Sequence, residues 1–318
     1  MYKLDKADRK ILYELDTNAR IPLSKLAKKL KLSRDVVNYR INKLEKDKVI
    51  RGYNTFIDAS RLGYKIFRVY FKFYSISNEN FKKLVDLVSK NKKVFWVGQT
   101  DGFIDLVFGT WHKTSKEFNE FYKSIIEKFR PFIKQEYVHE LIYYSYLDRP
   151  YIINQKPSQR NILSIGSNKE EKHDDIDLEI LKILCNNART QIIEIASQLE
   201  MDSASIIYRI KQLEKKKIII GYKSDLNFHI INRSFYSVKL YLSNFGRKNE
   251  LLSYLKTKNF VTNFTESIGS WDVEFDVEVE NDEQYHDLIN EIKDRFNFIS
   301  EVSFFRVPKN IKVINSPL

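Results

Sequence analysis

The chain has 318 residues, of which 43% are apolar and 30% charged, so it is long enough for two or three domains with adequate cores. No apolar run approaches the roughly 18 residues that cross a bilayer, and the first residues lack the apolar core of a signal peptide, so we expect a cytoplasmic protein without a membrane partner. The single cysteine, Cys185, excludes an internal disulfide and a cysteine-based metal site. A formal charge of +12 favours a polyanionic partner.

Two segments of the chain repeat one another. Residues 8–53 and 177–222 align without a gap at a spacing of 169 residues and are identical at 19 of 46 positions. This agreement indicates a tandem duplication. The charges of the copies differ, because residues 1–54 carry 15 Lys or Arg against 7 Asp or Glu, giving +8, whereas residues 173–222 carry 7 against 8, giving −1. Only the first copy therefore has the cationic surplus that attracts nucleic-acid phosphates.

Each copy begins with three short segments whose apolar residues recur at helical spacing. Ser33 and Asp202 stand at the N-cap position of the third helix in the two copies. A small residue, Ala27 or Ala196, allows the second and third helices to cross closely. The pattern predicts a helix-turn-helix followed by a short hairpin, with the third helix facing the DNA major groove.

The third helix of the first copy carries polar side chains suited to DNA. Arg and Asn can bind guanine and adenine edges through two hydrogen bonds, and Lys can reach phosphates. Double-stranded DNA is therefore the predicted partner. The predicted DNA-contacting residues are Ser33, Arg34, Asn38, Arg40, Asn42 and Lys43.

The second copy lacks most of these side chains. Ser203, Ile207 and Gln212 stand where the first copy has Arg34, Asn38 and Lys43, so we expect the second head to have lost most of its DNA affinity. Arg40 is retained as Arg209 in the acidic copy, which leaves open a second role for it as an internal brace of the head.

After each helical unit the apolar period changes to two, which is typical of half-buried strands. The order of patterns is then β-α-β-β-α-β, which predicts a ferredoxin-like module with both helices on one face of an antiparallel sheet. The predicted fold class is α+β, with two winged helix-turn-helix domains alternating with two ferredoxin-like domains. Their predicted bounds are 1–60 and 174–230 for the helix-turn-helix domains, 64–150 and 234–310 for the ferredoxin-like domains, and 151–173 for a linker.

One strand of the second module has an acidic face. In "DVEFDVEVE", residues 272–280, Asp and Glu alternate with Val and Phe, and like charges in a row are unfavourable unless they are solvated or matched. Arg68 and Lys72 of the first module lie on a strand expected beside the equivalent, nearly neutral face. We therefore expect the two modules to pair within one chain, with a solvated acidic face as the alternative. A homo-oligomer is compatible with either arrangement.

Residues 4–64 resemble the DNA-binding half of the Lrp/AsnC (feast/famine) transcription regulators. The resemblance rests on Asn18-Ala19-Arg20, on the Arg-Ile-x-x-Leu-Glu helix that begins at Arg40, and on the Ile-x-Gly-Tyr segment that ends at Tyr53. The β-α-β-β-α-β half is similar to that family's ligand-binding and dimerisation module. Family members usually carry one such unit, so the tandem arrangement is a departure. The resemblance implies a sequence-specific transcription regulator.

The resemblance also implies a small-molecule effector, often an amino acid, bound near a Gly-x-x-Asp turn. The Thr that commonly precedes the glycine is replaced by Asp101 and Ile268. A hairpin turn that needs a positive φ explains the glycines equally well, and both interpretations stay open. The matching residues are Asp101, Gly102 and Asp105 in the first copy and Gly269 and Asp272 in the second.

The signals for enzymatic chemistry are weak. The five histidines are isolated, and the chain has no glycine-rich phosphate loop, so no metal, cofactor or catalytic residue is predicted. Siroheme decarboxylases, a remote branch that resembles this family, pair two such units to bind a tetrapyrrole and form the alternative function. A basic DNA-reading helix has no purpose in such an enzyme. A regulator whose heads only mediate assembly is a third hypothesis.

Overall fold

Ten helices and eleven strands are present in a computed structural model of the chain, which describes residues 3–155, 160–167 and 169–313. They follow the order that the duplication predicts. Among the described residues, no helix is both long and apolar enough to cross a membrane.

The two helical units, called the first and second heads, share one core. Asp5 caps the first helix and Asp174 caps its counterpart. In each case the cap carboxylate accepts from the backbone amide three residues later, and the carboxylate of that later residue accepts from the backbone amide of the cap. Apolar side chains of both heads form a single cluster, which includes Leu15 and Ile41 of the first and Leu184 and Ile210 of the second. The helices are α1 (Lys6–Thr17), α2 (Leu23–Leu30), α3 (Arg34–Lys46), α6 (Asp175–Asn186), α7 (Ile192–Gln198) and α8 (Ser203–Lys215).

The strand after each head pairs with its counterpart in the other copy. Strand β1 (Ile50–Ile57) lies antiparallel to β7 (Ile219–Leu226), and we call this pair the ribbon. The prediction of a hairpin after the third helix is therefore wrong for the described residues, since the partner strand comes from the other copy. The physical reason is the duplication, which supplies a second strand of matching pattern about 169 residues away.

The two ferredoxin-like modules contribute to one closed sheet. The eight strands run in the order β2-β4-β3-β11-β8-β10-β9-β5, and β5 pairs back with β2, so the sheet forms a barrel. Strand β11 joins the modules at one seam by pairing with β3, and β5 joins them at the other by pairing with β9. The elements are β2 (Lys65–Phe73), α4 (Asn78–Lys90), β3 (Val94–Gly102), β4 (Leu106–His112), α5 (Ser115–Phe129), β5 (Ile133–Leu147), β8 (Ser234–Leu242), α9 (Lys248–Leu255), β9 (Val261–Ile268), β10 (Val273–Val279), α10 (Asp282–Arg295) and β11 (Ile299–Val313).

The predicted linker, residues 151–173, contains regular structure. Strand β6 (Ile162–Ile165) pairs antiparallel with the end of β5 and extends the sheet. A short 3-10 turn, Pro150–Ile153, packs its apolar side chains into the core of the heads. Residues 156–159 and 168 of the predicted linker lie outside the described residues.

The acidic face of β10 is buried rather than solvated. Glu274 and Glu278 are each 1% exposed and Asp276 is 4% exposed. Arg68 of the first module binds Glu274 at 2.5 Å, so charge matching across the modules stabilises the closed sheet. Lys72, on the same strand as Arg68, binds Asp105 of its own module at 2.7 Å.

Candidate DNA-binding surface

The helix-turn-helix of the first head places α3 with one side in the core and the other in solvent. The Ser33 hydroxyl accepts a hydrogen bond from the Val36 amide at 3.2 Å and so begins α3. Val37, Ile41 and Leu44 are buried, each at most 4% exposed, and fix the rotation of the helix. The remaining faces of α3 are therefore available to a partner.

Five of the six predicted DNA-contacting residues are exposed together on this helix and its cap. Tyr39, 69% exposed, lies among them and was not predicted to contact DNA. The row is compatible with the major groove, because it presents amide, guanidinium and ammonium donors along one helix. The five residues are Ser33, Arg34, Asn38, Asn42 and Lys43.

Arg40, the sixth, is occupied within the head. Its guanidinium lies 2.6 Å from the Asp5 carboxylate and 2.7 Å from that of Asp8. In the second head Arg209 contacts Asp174 and Asp177 in the same way, at 2.8 and 2.9 Å. Hydrogen bonding to the Asp8 amide and to Arg40, against a smaller opposing effect of burial, lowers the pKa of Asp5. The shared geometry favours the bracing role of Arg40 over base reading, because it holds α3 against the start of α1.

We expect Arg40→Ala to lower the melting temperature and to leave DNA affinity within twofold of the parent. The lost contacts are partly solvent-exposed, so the expected cost is about 1 kcal/mol of unfolding free energy. Thermal unfolding and duplex titration measure the two effects, with Arg209→Ala as the matched variant in the second head. A tenfold loss of DNA affinity at an unchanged melting temperature would show that Arg40 contacts DNA and does not brace the head.

The exposed surface of the second head differs as the sequence predicts. Ile207 is 40% exposed and Tyr208 is 63% exposed on α8, where the first head has Asn38 and Tyr39. An isoleucine offers no hydrogen-bond donor to a base edge. At this position α8 therefore offers no hydrogen-bond donor where α3 offers the Asn38 amide.

The repeated Asn-Ala-Arg motif joins the two heads. The Ala19 amide donates to the Tyr222 carbonyl, and the Ala188 amide donates to the Tyr53 carbonyl, both at 2.9 Å. Arg20 donates to the Ala188 carbonyl and lies over the ring of Tyr222. The heads are thus held together by reciprocal contacts.

The predicted effector residues lie in two turns, and the aspartate carboxylates of these turns already accept hydrogen bonds from the protein backbone. The Asp105 carboxylate accepts from the Phe73 amide at 2.8 Å, and that of Asp272 accepts from the Leu242 amide at 2.7 Å. Each carboxylate therefore braces the end of a strand. Asp101, exposed on β3, has its backbone paired with Arg306 of β11.

The glycines of these turns permit close approach of the other module. Gly102 has a φ of +131°, and a Cβ there would lie 2.6 Å from the Phe304 carbonyl oxygen. A Cβ on Gly269 would lie 2.1 Å from Nδ1 of His139, and Gly269 is not among the described positive-φ glycines. The positive-φ interpretation thus applies to Gly102 alone.

A cavity of about 420 Å³ lies where the ribbon meets the barrel. We call it the junction cavity. None of its lining residues was predicted to bind an effector, because they come from both copies and share no sequence pattern. Its lining includes Arg51, Arg68, Trp96, Tyr144, Tyr146, Phe228, His229, Arg233, Asn263 and Asp276.

The chain is similar to known regulators over part of its length. Residues 4–51 and 173–220 match the family described as winged helix-turn-helix DNA-binding. An uncharacterised HTH-type transcriptional regulator of Pyrococcus furiosus is 30% identical over 126 residues, which are 39% of this chain and 81% of that protein. The HTH-type transcriptional regulator LrpB of Bacillus subtilis is 27% identical over 137 residues, which are 43% of this chain and 92% of that protein.

Along its whole length the chain is similar in fold to the siroheme decarboxylase NirDL. The TM-score is 0.66 at 14% identity, and the match covers 98% of this chain and 93% of that one. At a sequence identity this low, the likeness shows only that the two chains share a two-unit fold. The sequence relatives and both helix-turn-helix matches show that the chain belongs to the Lrp/AsnC family of transcription regulators.

Proposed function

We propose that the chain is a sequence-specific, double-stranded-DNA-binding transcription regulator whose first head supplies most of the DNA contacts. The observation that carries the proposal is the exposed polar row on α3, set in a head of charge +8, opposite a second head of charge −1. Phosphate contacts would supply affinity, and Arg34, Asn38 and Asn42 would supply specificity. A cytoplasmic location accords with DNA as the partner.

Selection of bound duplexes from a random pool tests this function. The full chain is the right reagent, because the heads share one core and their strands pair. Enrichment of a defined sequence supports the proposal. If no sequence is enriched and the affinity depends only on salt concentration, the chain binds DNA non-specifically and the proposal is wrong.

We expect Arg34→Ala to weaken binding to the selected duplex by about 1–3 kcal/mol if the residue reads a base. Lys43→Ala should instead flatten the salt dependence by about 0.9 in log–log slope, as expected for one lost phosphate contact. Fluorescence anisotropy at several salt concentrations measures both effects.

Matched variants in the second head test the asymmetry. Gln212 stands at the position of Lys43, and Gln212→Ala should change neither the affinity for the duplex nor its salt dependence. Lys215 and Lys217 are exposed at the end of α8 and are the side chains there that could still hold a phosphate. A loss with Lys215→Ala equal to that with Lys43→Ala would show that both heads bind DNA alike.

A tetrapyrrole enzyme is the second candidate function. It is favoured by the full-length likeness in fold to NirDL, a siroheme decarboxylase also solved with an iron-uroporphyrin III analogue. Absorbance after adding an iron-uroporphyrin separates the two candidates. A shift of the porphyrin absorbance band that saturates at one equivalent of iron-uroporphyrin, together with no duplex enriched in the selection, would favour the enzyme.

A further inference from the structure

The junction cavity has a polar floor inside the barrel. Arg68 of β2, Asn263 of β9 and Asp276 of β10 come from three strands, and each is less than 8% exposed. Asp276 accepts hydrogen bonds from Ser237 at 2.5 Å and from the Asn263 amide at 2.9 Å. Such a floor is unlike an ordinary core gap, which is apolar.

Two polar atoms of this floor have no partner. Among the described residues, Arg68 Nε and Asn263 Oδ1 are both buried and unbonded. Buried polar groups in folded proteins are normally hydrogen-bonded, and leaving one unsatisfied costs about 1–3 kcal/mol. Over the described residues the protein alone therefore leaves the hydrogen bonding of the floor incomplete.

The walls of the cavity are aromatic. Tyr144 and Tyr146 of β5 meet edge to face with ring centroids 4.5 Å apart. Trp96 of β3 lies under the Arg68 guanidinium at 5.5 Å, and Phe228 and Phe235 line the side formed by the second copy. Flat apolar surface of this kind favours a flat ligand body.

Arginine side chains also line the cavity. Arg233 is 9% exposed and binds Glu280 at 2.7 Å, whereas Arg51 of the ribbon is more exposed, and Asp276 is the one carboxylate among the described lining residues. Arg51 uses one terminal nitrogen for Asp225, at 2.7 Å, and its side chain is 39% exposed. A guanidinium has five donors, so Arg51 keeps capacity for an anionic group of a ligand. Burial, partly offset by the charge of Lys239, raises the pKa of Asp276.

We propose that the junction cavity binds a small organic anion with a flat aromatic body, and that its occupancy changes the DNA affinity of the heads. The volume of about 420 Å³ lies in the lower part of the range for drug-sized ligands and favours a ligand of one to three rings. The second step rests on the proposed DNA-binding function. The change in DNA affinity follows from the position of Arg51, because Arg51 lies on β1, the strand that directly follows the third helix of the first head.

The site is tested with 8-anilino-1-naphthalenesulfonate, an aromatic anion, and N-phenyl-1-naphthylamine, which has the same rings without the sulfonate. We expect one saturable fluorescent site for the anion on the full chain and at least tenfold weaker binding of the neutral analogue. Arg51→Gln should weaken anion binding at least fivefold. Arg247→Gln is the matched control, since Arg247 is 41% exposed and holds one carboxylate, Glu250, at 2.8 Å.

Equal binding of the two probes, no saturable site, or an equal effect of Arg51→Gln and Arg247→Gln would overturn the site. The second step is read from duplex titration with and without saturating anion, where we expect a change of at least threefold in affinity. By linkage, DNA must change the affinity for the anion by the same factor. Anion binding with unchanged DNA affinity overturns only the coupling, whereas anion binding to a chain that binds no DNA overturns only the proposed function.

Discussion

Replacing Glu274 with Gln should lower the unfolding free energy by about 3–5 kcal/mol, because it leaves two buried cations without their carboxylate. Glu274 lies 2.5 Å from Arg68 and 3.3 Å from Lys239, and Lys239 is fully buried. Its carboxylate also accepts from the Tyr70 hydroxyl at 3.0 Å and from the Trp271 ring nitrogen at 2.9 Å. Urea unfolding at neutral pH measures the loss.

The same substitution should remove an acid-dependent part of the stability. Burial by itself would raise the pKa of Glu274, but Lys239 and Arg68 outweigh it and lower the pKa to about 2 from an ordinary value of 4.5. A carboxyl whose pKa is depressed in the folded state stabilises fully above its unfolded pKa, and this contribution is lost as the pH falls through the folded value. The difference between parent and Glu274→Gln should therefore shrink between about pH 4.5 and pH 2.

The exposed pair of Arg247 and Glu250 supplies the control. Glu250→Gln removes one carboxylate from a solvated ion pair and should leave the unfolding free energy close to that of the parent. His139 and Asp276 also titrate near the cluster, and the charge of Glu274 raises the pKa of both, so the difference between parent and variant reports the coupled titration of the cluster. A loss below 1 kcal/mol for Glu274→Gln would show that this charge cluster does not stabilise the closed barrel.

Replacing Asp16 with Asn should cost a similar amount, about 3–5 kcal/mol, at the junction of the heads and the barrel. Asp16 of α1 is fully buried and binds both Arg149 and, at 3.3 Å, Lys223 of the ribbon. Arg149 in turn binds Glu278 of β10 at 2.8 Å. The four charges balance, so removal of one carboxylate leaves a buried excess of positive charge.

A double variant separates charge balance from packing. Asp16→Asn with Lys223→Met restores neutrality and should recover at least half of the loss in urea unfolding. Glu179→Gln, which breaks the exposed pair with Lys182, is the control and should change stability by less than about 1 kcal/mol. If the double variant is as unstable as Asp16→Asn, the loss comes from packing or hydrogen bonding and not from the unpaired charge.

The buried carboxylate of Asp16 has no counterpart in the second copy. Position 185, which corresponds to Asp16 at the spacing of 169, is a buried cysteine in the second copy. The two heads therefore differ beneath their surfaces as well as on them. Divergence of both the α3 face and this buried position is consistent with different roles for the two heads.

The sequence by itself determined the local elements and the contrast between the two heads. Helices α3 and α8 begin directly after Ser33 and Asp202, the N-cap residues that the sequence predicts, because periodicity and capping act over short stretches of chain. The exposed row from Ser33 to Lys43 follows from the same helical period. The loss of charge in the second head is a property of composition and needs no fold.

Only the tertiary structure decided how the two copies combine. The ribbon, the closed barrel and the burial of Glu274 depend on strands that are far apart in the chain, and an edge strand carries no local mark of its partner. The bracing role of Arg40 depends on the approach of α1, and the junction cavity depends on residues of both copies. These features arise from packing and from charge matching across distant segments, which alternation along one segment does not encode.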